Sequence, residues 1–426
     1  MAPRAEAERP TERYPLRVAV EAVATARGGG LSYLRNQLPE LERQGISLLV
    51  FARSAVAADL RDVLRSPASG VHVIDGSSLV ARLRFIHAQL AVEARRWGAE
   101  VLYCPGATAP FRSLGIPTVV CVQTSHLFRT DAPRSLHLAV QRPVAWLSAF
   151  RASELVHISA STAAEFSRHS ALRRSYSVVL SGLGQTEQAL QSTRGIRRDA
   201  IVVVSNLYAH KRIDEVLAAF AEEPDLRDSY ELVIAGMELE PGLRRRLGDL
   251  ASALGCAERV RFTGFLQGAE LLDLYRRAAV MVSASRAEAF PLPPGEALAM
   301  AVPVVLSDIP PHRELYGRWA RLVAPGDVAG LGRAMTAAAC QGCVPNHQVE
   351  ELKATYSWAR NGEAIARILR RAAVTSSLRG KQRFQAVQFA ALPLAFRAVI
   401  GRATQTGPSL LSSWDRPLSR VPRKGR

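Results

Sequence analysis

The sequence predicts an α/β protein built from two doubly wound parallel sheets that face a common cleft. Three observations carry this expectation. Short apolar runs alternate with helix-like stretches along most of the chain. The alternation pauses once, over residues 181–199, and then resumes. A length of 426 residues also suffices for two ordinary α/β domains, each with its own core.

The first series of apolar runs occupies residues 18–23, 47–51, 71–74, 101–104, 118–122, 155–158 and 177–180, with helix-like stretches such as 31–44, 79–97 and 135–149 between them. Strands buried on both faces read as near-continuous apolar runs, so the rhythm implies a parallel sheet covered by helices on each side. Gly28-Gly29-Gly30 follows the first run, and Leu31 opens a helix. Glycine allows close backbone approach, and a helix N-terminus presents free N–H groups to phosphate. A glycine triplet is also an ordinary turn. The Gly/Ser/Gln/Thr/Arg stretch that follows residue 180 reads as a linker. A second series then runs through strands 200–204, 231–235, 260–263, 279–282, 304–306 and 321–323.

Two carboxylates stand out in that second series, Glu288 and Glu296 in the run Glu288-Ala-Phe290-Pro-Leu292-Pro-Pro-Gly-Glu296. Glu288 falls on the loop at the carboxyl end of strand 279–282. Glu296 falls in the first turn of a helix spanning 296–301, with Pro293 and Pro294 suited to its start. The crevice beyond the carboxyl ends of such strands is where open α/β sheets bind ligands. A carboxylate there accepts sugar hydroxyls, while a helix N-terminus favours phosphate. At the start of the second series, Lys211 and Arg212 open a helix. Cations are unfavourable at that end of the dipole, so their presence calls for a compensating anion. Lysine occurs only at Lys211, Lys353, Lys381 and Lys424, whereas arginine is abundant throughout.

Composition narrows the function classes. Apolar residues make up 48% of the chain, too many for a disordered one. No stretch approaches the ~18–20 uninterrupted apolar residues of a membrane span, and the N-terminus has no apolar signal core. The five scattered cysteines fit a reducing cytosol, and Cys340-Gln-Gly-Cys343 lacks the second ligand pair of a zinc site. The net charge of +17 suits an anionic surface. Nucleic acid is not the expected partner, because no helix-turn-helix, zinc-finger or aromatic RNA-binding signature is present. Residues 381–402 are apolar with basic flanks and interrupted by Pro393. They read either as an in-plane membrane helix or as a packing helix.

Residues 259–308 resemble the C-terminal signature of the retaining family 4 glycosyltransferases (glycosyl transferases group 1), which have the GT-B fold. The shared elements are a strand with F-x-G, an L-Y-x-x-A helix, the motif E-x-F-x-L-P-x-x-E-A, and P-V-V-x-S-D. The resemblance implies two Rossmann-like domains, with 16–184 on the acceptor side, a linker at 185–199, and 200–357 binding a nucleotide sugar. A helix at 358–373 would return to the first domain. Residues 1–15 and the end of a basic extension, 374–426, would be disordered, and the extension is a candidate for association with an anionic membrane. The resemblance also implies a retaining transfer from a nucleotide-diphosphate sugar to a saccharide or lipid-linked acceptor, in bacterial surface polysaccharide or glycolipid assembly. The expected location is the cytoplasm, with a peripheral place on the inner face of the membrane.

By the same resemblance Glu296 meets ribose hydroxyls, Glu288 meets the donor sugar, and Lys211 with Arg212 neutralises the departing diphosphate. Gly29, Gly30, Phe290 and Leu292 complete the donor side, and Gln123 and His126 lie on the acceptor side. No metal or cofactor is implied. Three departures from the family pattern bear on catalysis. Gln123 stands where relatives carry histidine, Asn206 where many carry arginine, and Pro291 where glycine is frequent. These leave open a catalytically silent sugar-nucleotide-binding subunit. A phosphorylase would need a pyridoxal phosphate lysine, for which only Lys353 is placed.

Overall fold

The computed structural model describes residues 15–25, 28–75, 78–111, 115–123, 136–169, 175–184, 198–266 and 268–379. The first sheet has seven parallel strands in the order β3-β2-β1-β4-β5-β6-β7. They are β1 (Leu16–Ala22), β2 (Ile46–Arg53), β3 (Gly70–Ile74), β4 (Val101–Cys104), β5 (Thr118–Val122), β6 (Glu154–His157) and β7 (Ser177–Val178). Side chains alternate across β1: Val18, Val20 and Ala22 enter the core on one face, and Ala19 enters the core on the other. Each face therefore needs its own cover. Helix α1 (Gly29–Arg43) packs on the first face through Leu34, Leu38 and Leu41.

The second sheet has six parallel strands in the order β10-β9-β8-β11-β12-β13. Its members are β8 (Ala200–Val204), β9 (Glu231–Ala235), β10 (Val260–Gly264), β11 (Ala278–Ser283), β12 (Val304–Ser307) and β13 (Arg321–Val323). Both sheets reverse their direction of growth once. In the first the reversal lies between β1 and β4, and in the second between β8 and β11. The loops leaving those strands flank the crevices where such sheets take ligands.

The strand expectations match within a residue or two; the helices differ more. The stretch 79–97 is not one α-helix but is split by a π-helical turn, Phe85–Gln89. The extra residue of such a turn shifts the helical register locally, and Phe85 and Ile86 are buried in it. Helix α1 begins at Gly29 rather than Leu31, because Gly28 takes a φ of 125° and its carbonyl already accepts the Ser32 amide. The C-terminal helix, Trp358–Arg379, runs past residue 373. The apolar basic stretch 381–402 and the remaining termini lie outside the described residues.

That C-terminal helix crosses back and becomes the lid of the first core. Ile365, Ile368, Leu369 and Ala372 recur at helical spacing and bury in the same core, where the helix packs on α1, β4 and β5. Polar contacts set its register. Gln37 Nε2 donates to Asn361 Oδ1 at 2.9 Å, and Asn361 Nδ2 donates to the Leu180 carbonyl at 2.8 Å. Arg371 forks onto Glu154 at 2.9 and 2.7 Å. The two passages between the domains run side by side, the Leu183 amide donating to the Tyr356 carbonyl at 3.1 Å. Trp358 lies so close to Gly182 that a Cβ there would sit 2.4 Å from its ring. Gly182→Ala is therefore expected to lose about 1–3 kcal/mol, since the added Cβ would meet the Trp358 backbone nitrogen at 2.6 Å as well as its ring. Thermal unfolding checks this, and an unchanged Tm would show that the indole is not seated there.

Candidate functional site

Loops leaving β8 and β11 bring the expected residues to the reversal point of the second sheet. After β8 the chain makes a short 3-10 turn, Ala209–Lys211. Helix α2 (Ile213–Glu222) begins only beyond Arg212, which sits at its cap with φ 51°. Lys211 and Arg212 thus precede the helix rather than opening it. Arg212 bonds Asp214 and Glu215 at 2.9 Å each, and Arg286 bonds Glu215 at 2.7 Å. The anion that compensates Arg212 is thus supplied by the helix's own first turn.

Lys211 reaches the other loop. Its Nζ lies 2.6 Å from Glu288 Oε1, with both side chains nearly buried, at 17% and 11% exposure. Burial pushes the Glu288 carboxyl up. The positive field of Lys211 and His312, with bonds from Lys211 and Ser285, outweighs that and holds it below the ordinary range. His312, in the helix Pro310–Tyr316, is fully buried beside this pair. Its Nδ1 lies 2.8 Å from the Ser307 carbonyl, which makes Nδ1 the donor there. Burial lowers its basicity, partly offset by Glu288. Sequence reasoning missed this residue: a lone histidine after two prolines carries no periodic signal.

Glu296 is placed otherwise than expected. Helix α3 (Leu292–Ala299) starts at Leu292, so Glu296 lies in its second turn, not its first. Pro291 is the cap residue, and its carbonyl accepts the Tyr316 hydroxyl at 2.7 Å. Glu296 Oε2 accepts from Tyr275 at 3.1 Å, and a Cβ on Gly184 would lie 3.0 Å from Oε1. Burial raises its carboxyl, only partly opposed by the Tyr275 bond. Leu292 is half-buried at the helix start. Phe290 wedges between the domains: it packs against the apolar cores of both and meets Tyr356 edge-on at 5.8 Å. Ala289 is also held from across the cleft, its carbonyl accepting the Ser159 hydroxyl at 3.2 Å. Asn206 is occupied as well, accepting the Met237 amide at 3.1 Å.

In the first domain Gly29 and Gly30 begin α1, and Gln123 directly follows β5, half-buried; His126 lies outside the described residues. A second missed residue sits beside them. Glu21, the lone acid in an apolar run, is 1% exposed at the carboxyl end of β1. Its Oε1 accepts the Ala24 amide at 3.0 Å, while Oε2 has no hydrogen-bond partner among the described residues. Burial pushes its carboxyl up to about 7, against the lowering bonds from Ala24 and Val23.

A cavity of about 270 Å³ opens at the carboxyl ends of β8, β9 and β10, walled by Leu207, Met237, Phe262 and Phe265 and edged by Glu238 and Arg244. It was not legible in the sequence, because its walls come from three separate loops. Cys340 and Cys343 are both free and exposed, and among the described residues no group of three or more His, Cys, Asp or Glu side chains could hold a metal ion. Lys353 is paired with Glu350 on one helix at 3.3 Å. No helix of the described residues is long and apolar enough to cross a membrane.

Residues 186–342 match the family model of glycosyl transferases group 1. An uncharacterized glycosyltransferase of Methanocaldococcus jannaschii is 30% identical over 164 residues, which is 37% of this chain and 41% of that protein. The chain spans less than half the length of this curated relative. The whole fold is that of sucrose-phosphate synthase from Thermosynechococcus elongatus, with TM-score 0.68 and 17% identity, covering 84% of this chain and all of that one. It is also that of Anabaena HepE solved with UDP and glucose, with TM-score 0.58 and 18% identity, covering 86% and 98% of the two chains. The architecture is therefore GT-B.

Two outcomes follow from the buried charges. Lys211→Met is expected to cost on the order of 3 kcal/mol, because it leaves Glu288 buried without its partner cation, and Lys211→Met/Glu288→Leu should recover most of that loss. Chemical denaturation of the single and double variants measures it. For Glu21 the folded pKa of about 7 lies above the ordinary 4.5. Below pH 4.5 both states are protonated and nothing is lost. As pH rises to 7 the unfolded chain ionises first, so the fold loses on the order of 3 kcal/mol. Glu21→Gln should therefore gain stability over the parent across pH 4.5–7 and hold that gain above it. A pH-independent difference in Tm would contradict this.

Proposed function

We propose that this chain, whose residues 186–342 match the glycosyl transferases group 1 in a protein of GT-B fold, transfers a sugar from a nucleotide-diphosphate donor to a saccharide or lipid-linked acceptor. The observation that carries the reading is the Lys211–Glu288 contact at the reversal point of the second sheet. A nearly buried ammonium with three donors answers Glu288 with one of them and keeps capacity for phosphate oxygens. A carboxylate held ionised beside it accepts sugar hydroxyls. The apolar cavity at the ends of β8, β9 and β10 takes the base, on the same loop that continues to Lys211. Glu296, opposite Gly184, takes ribose hydroxyls.

Transfer then breaks the bond between the anomeric carbon and the donor phosphate oxygen, and the electron pair leaves with the diphosphate. Lys211 stabilises the charge that develops there. The acceptor hydroxyl, bound by the first domain near the glycine loop and Gln123, forms the new bond on the same face. Its proton passes to the departing phosphate oxygen, and the configuration is retained. This electrostatic work is assigned to side chains and needs no metal. The net charge of +17 suits a lipid-linked acceptor at an anionic membrane surface, on its cytoplasmic side, in surface glycan assembly.

A panel of nucleotide-diphosphate sugars tests the reading. The donor should raise Tm, a hundredfold excess over Kd adding about 2.7 kcal/mol. Lys211→Ala and Glu288→Gln should each lower turnover by about a hundredfold or more. Donor binding without any transfer would make the chain a catalytically silent sugar-nucleotide-binding subunit instead, and inverted product would exclude retention.

A further inference from the structure

The cavity at the ends of β8, β9 and β10 is apolar on its walls and sharply polar at its edge, and that edge has a definite hydrogen-bonding character. A second, more open cavity of about 460 Å³ adjoins it; the two share Glu238, Arg244 and Phe262. Glu238 is oriented by the chain itself. Its backbone bridges to Leu207, and its Oε1 accepts the Arg244 amide at 3.2 Å. The Arg244 guanidinium lies over the Phe262 ring, 5.8 Å from its centroid. One carboxylate and one guanidinium thus stand at the margin of a slot between aromatic and aliphatic walls.

We propose that this slot takes guanine, so that the donor is a guanosine-diphosphate sugar; the proposal rests on the nucleotide-sugar reading above. A carboxylate only accepts hydrogen bonds, and an ionised one has about four lone-pair sites, so the bond from Arg244 leaves capacity on Glu238. Guanine alone among the four common RNA bases places two donors side by side, N1–H and the N2 amine, which match a carboxylate. Its O6 and N7 are adjacent acceptors that match a guanidinium fork. Uracil offers a single N–H between two carbonyl oxygens, which a carboxylate repels. Adenine and cytosine each set one amine beside a ring acceptor, so each leaves Glu238 half-answered.

The loop geometry joins base to phosphate. The Leu207 amide donates to the Met237 carbonyl at 2.8 Å, and the Ala209 amide donates to Glu240 Oε2 at 2.9 Å. The base-lining loop and the loop bearing Lys211 are therefore zipped together, so base recognition and diphosphate contact share one rigid edge. HepE, solved with UDP, has the same fold, so the fold leaves the base open and the side chains at this margin decide it.

Calorimetric titration of the full chain with GDP, UDP, ADP and IDP tests the proposal. IDP is guanosine diphosphate without the N2 amine. GDP is expected to bind at least about tenfold tighter than each of the others, since a hydrogen bond to a charged group is lost with each. Glu238→Gln should erase most of the GDP-over-IDP preference. Glu238 is exposed, and the variant should keep the parent's Tm without ligand. Tighter binding of UDP or ADP, or equal binding of GDP and IDP by the parent, overturns guanine while leaving a nucleotide-sugar transferase standing. No binding of any of the four overturns both readings.

Discussion

The two passages between the domains lie side by side, joined where the Leu183 amide meets the Tyr356 carbonyl, and the whole arrangement depends on that seam. It can form only because Gly182 has no side chain where Trp358 lies. Trp358 in turn meets Tyr33 edge-on at 5.4 Å, which ties the seam to α1. From there the C-terminal helix covers a face of the first sheet that would otherwise be open. A chain stapled at both passages has its cleft defined by construction. A second set of contacts closes the cleft farther out, where Glu314 of the second domain accepts the Ala160 and Ser161 amides of the first at 2.6 Å each.

The electrostatics of the cleft follow from this packing. A chain of net charge +17 would be expected to present free cations to a diphosphate. Instead the cations at the reversal point of the second sheet are already answered, Lys211 by Glu288 and Arg212 by the first turn of its own helix. His312 belongs to the same arrangement, since its buried ring lies within the field of both members of the pair. Glu288 is thus tied to Lys211 by charge, and its loop is tied to the first domain through the anchored carbonyl of Ala289.

Strands were readable because a strand buried on both faces must be apolar throughout, which is a local property. Ala200–Val204 and Glu231–Ala235 fall where the apolar runs placed them. Helix starts were less readable, because apolar periodicity marks where a helix touches the core and not where its first hydrogen bond closes. Gly29 and Leu292 both begin helices ahead of that pattern. The Glu288/Glu296 spacing pointed to the right loop but to the wrong turn for Glu296. Phe290, read as part of a donor motif, also packs between the two domains, a placement that only the opposing core can make.

By itself the sequence determined the strand-and-helix rhythm, the two-sheet organisation and the loops that hold the candidate site residues. These follow from burial pattern, glycine and proline, which act over a few residues. Tertiary structure alone decided the partners: Gln37 with Asn361, 324 positions apart, Lys211 with Glu288, 77 apart, and the margin formed by Glu238 and Arg244 beside Phe262. Side chains that distant meet only when whole layers pack, and one-dimensional spacing carries no record of which loops the packing will bring together.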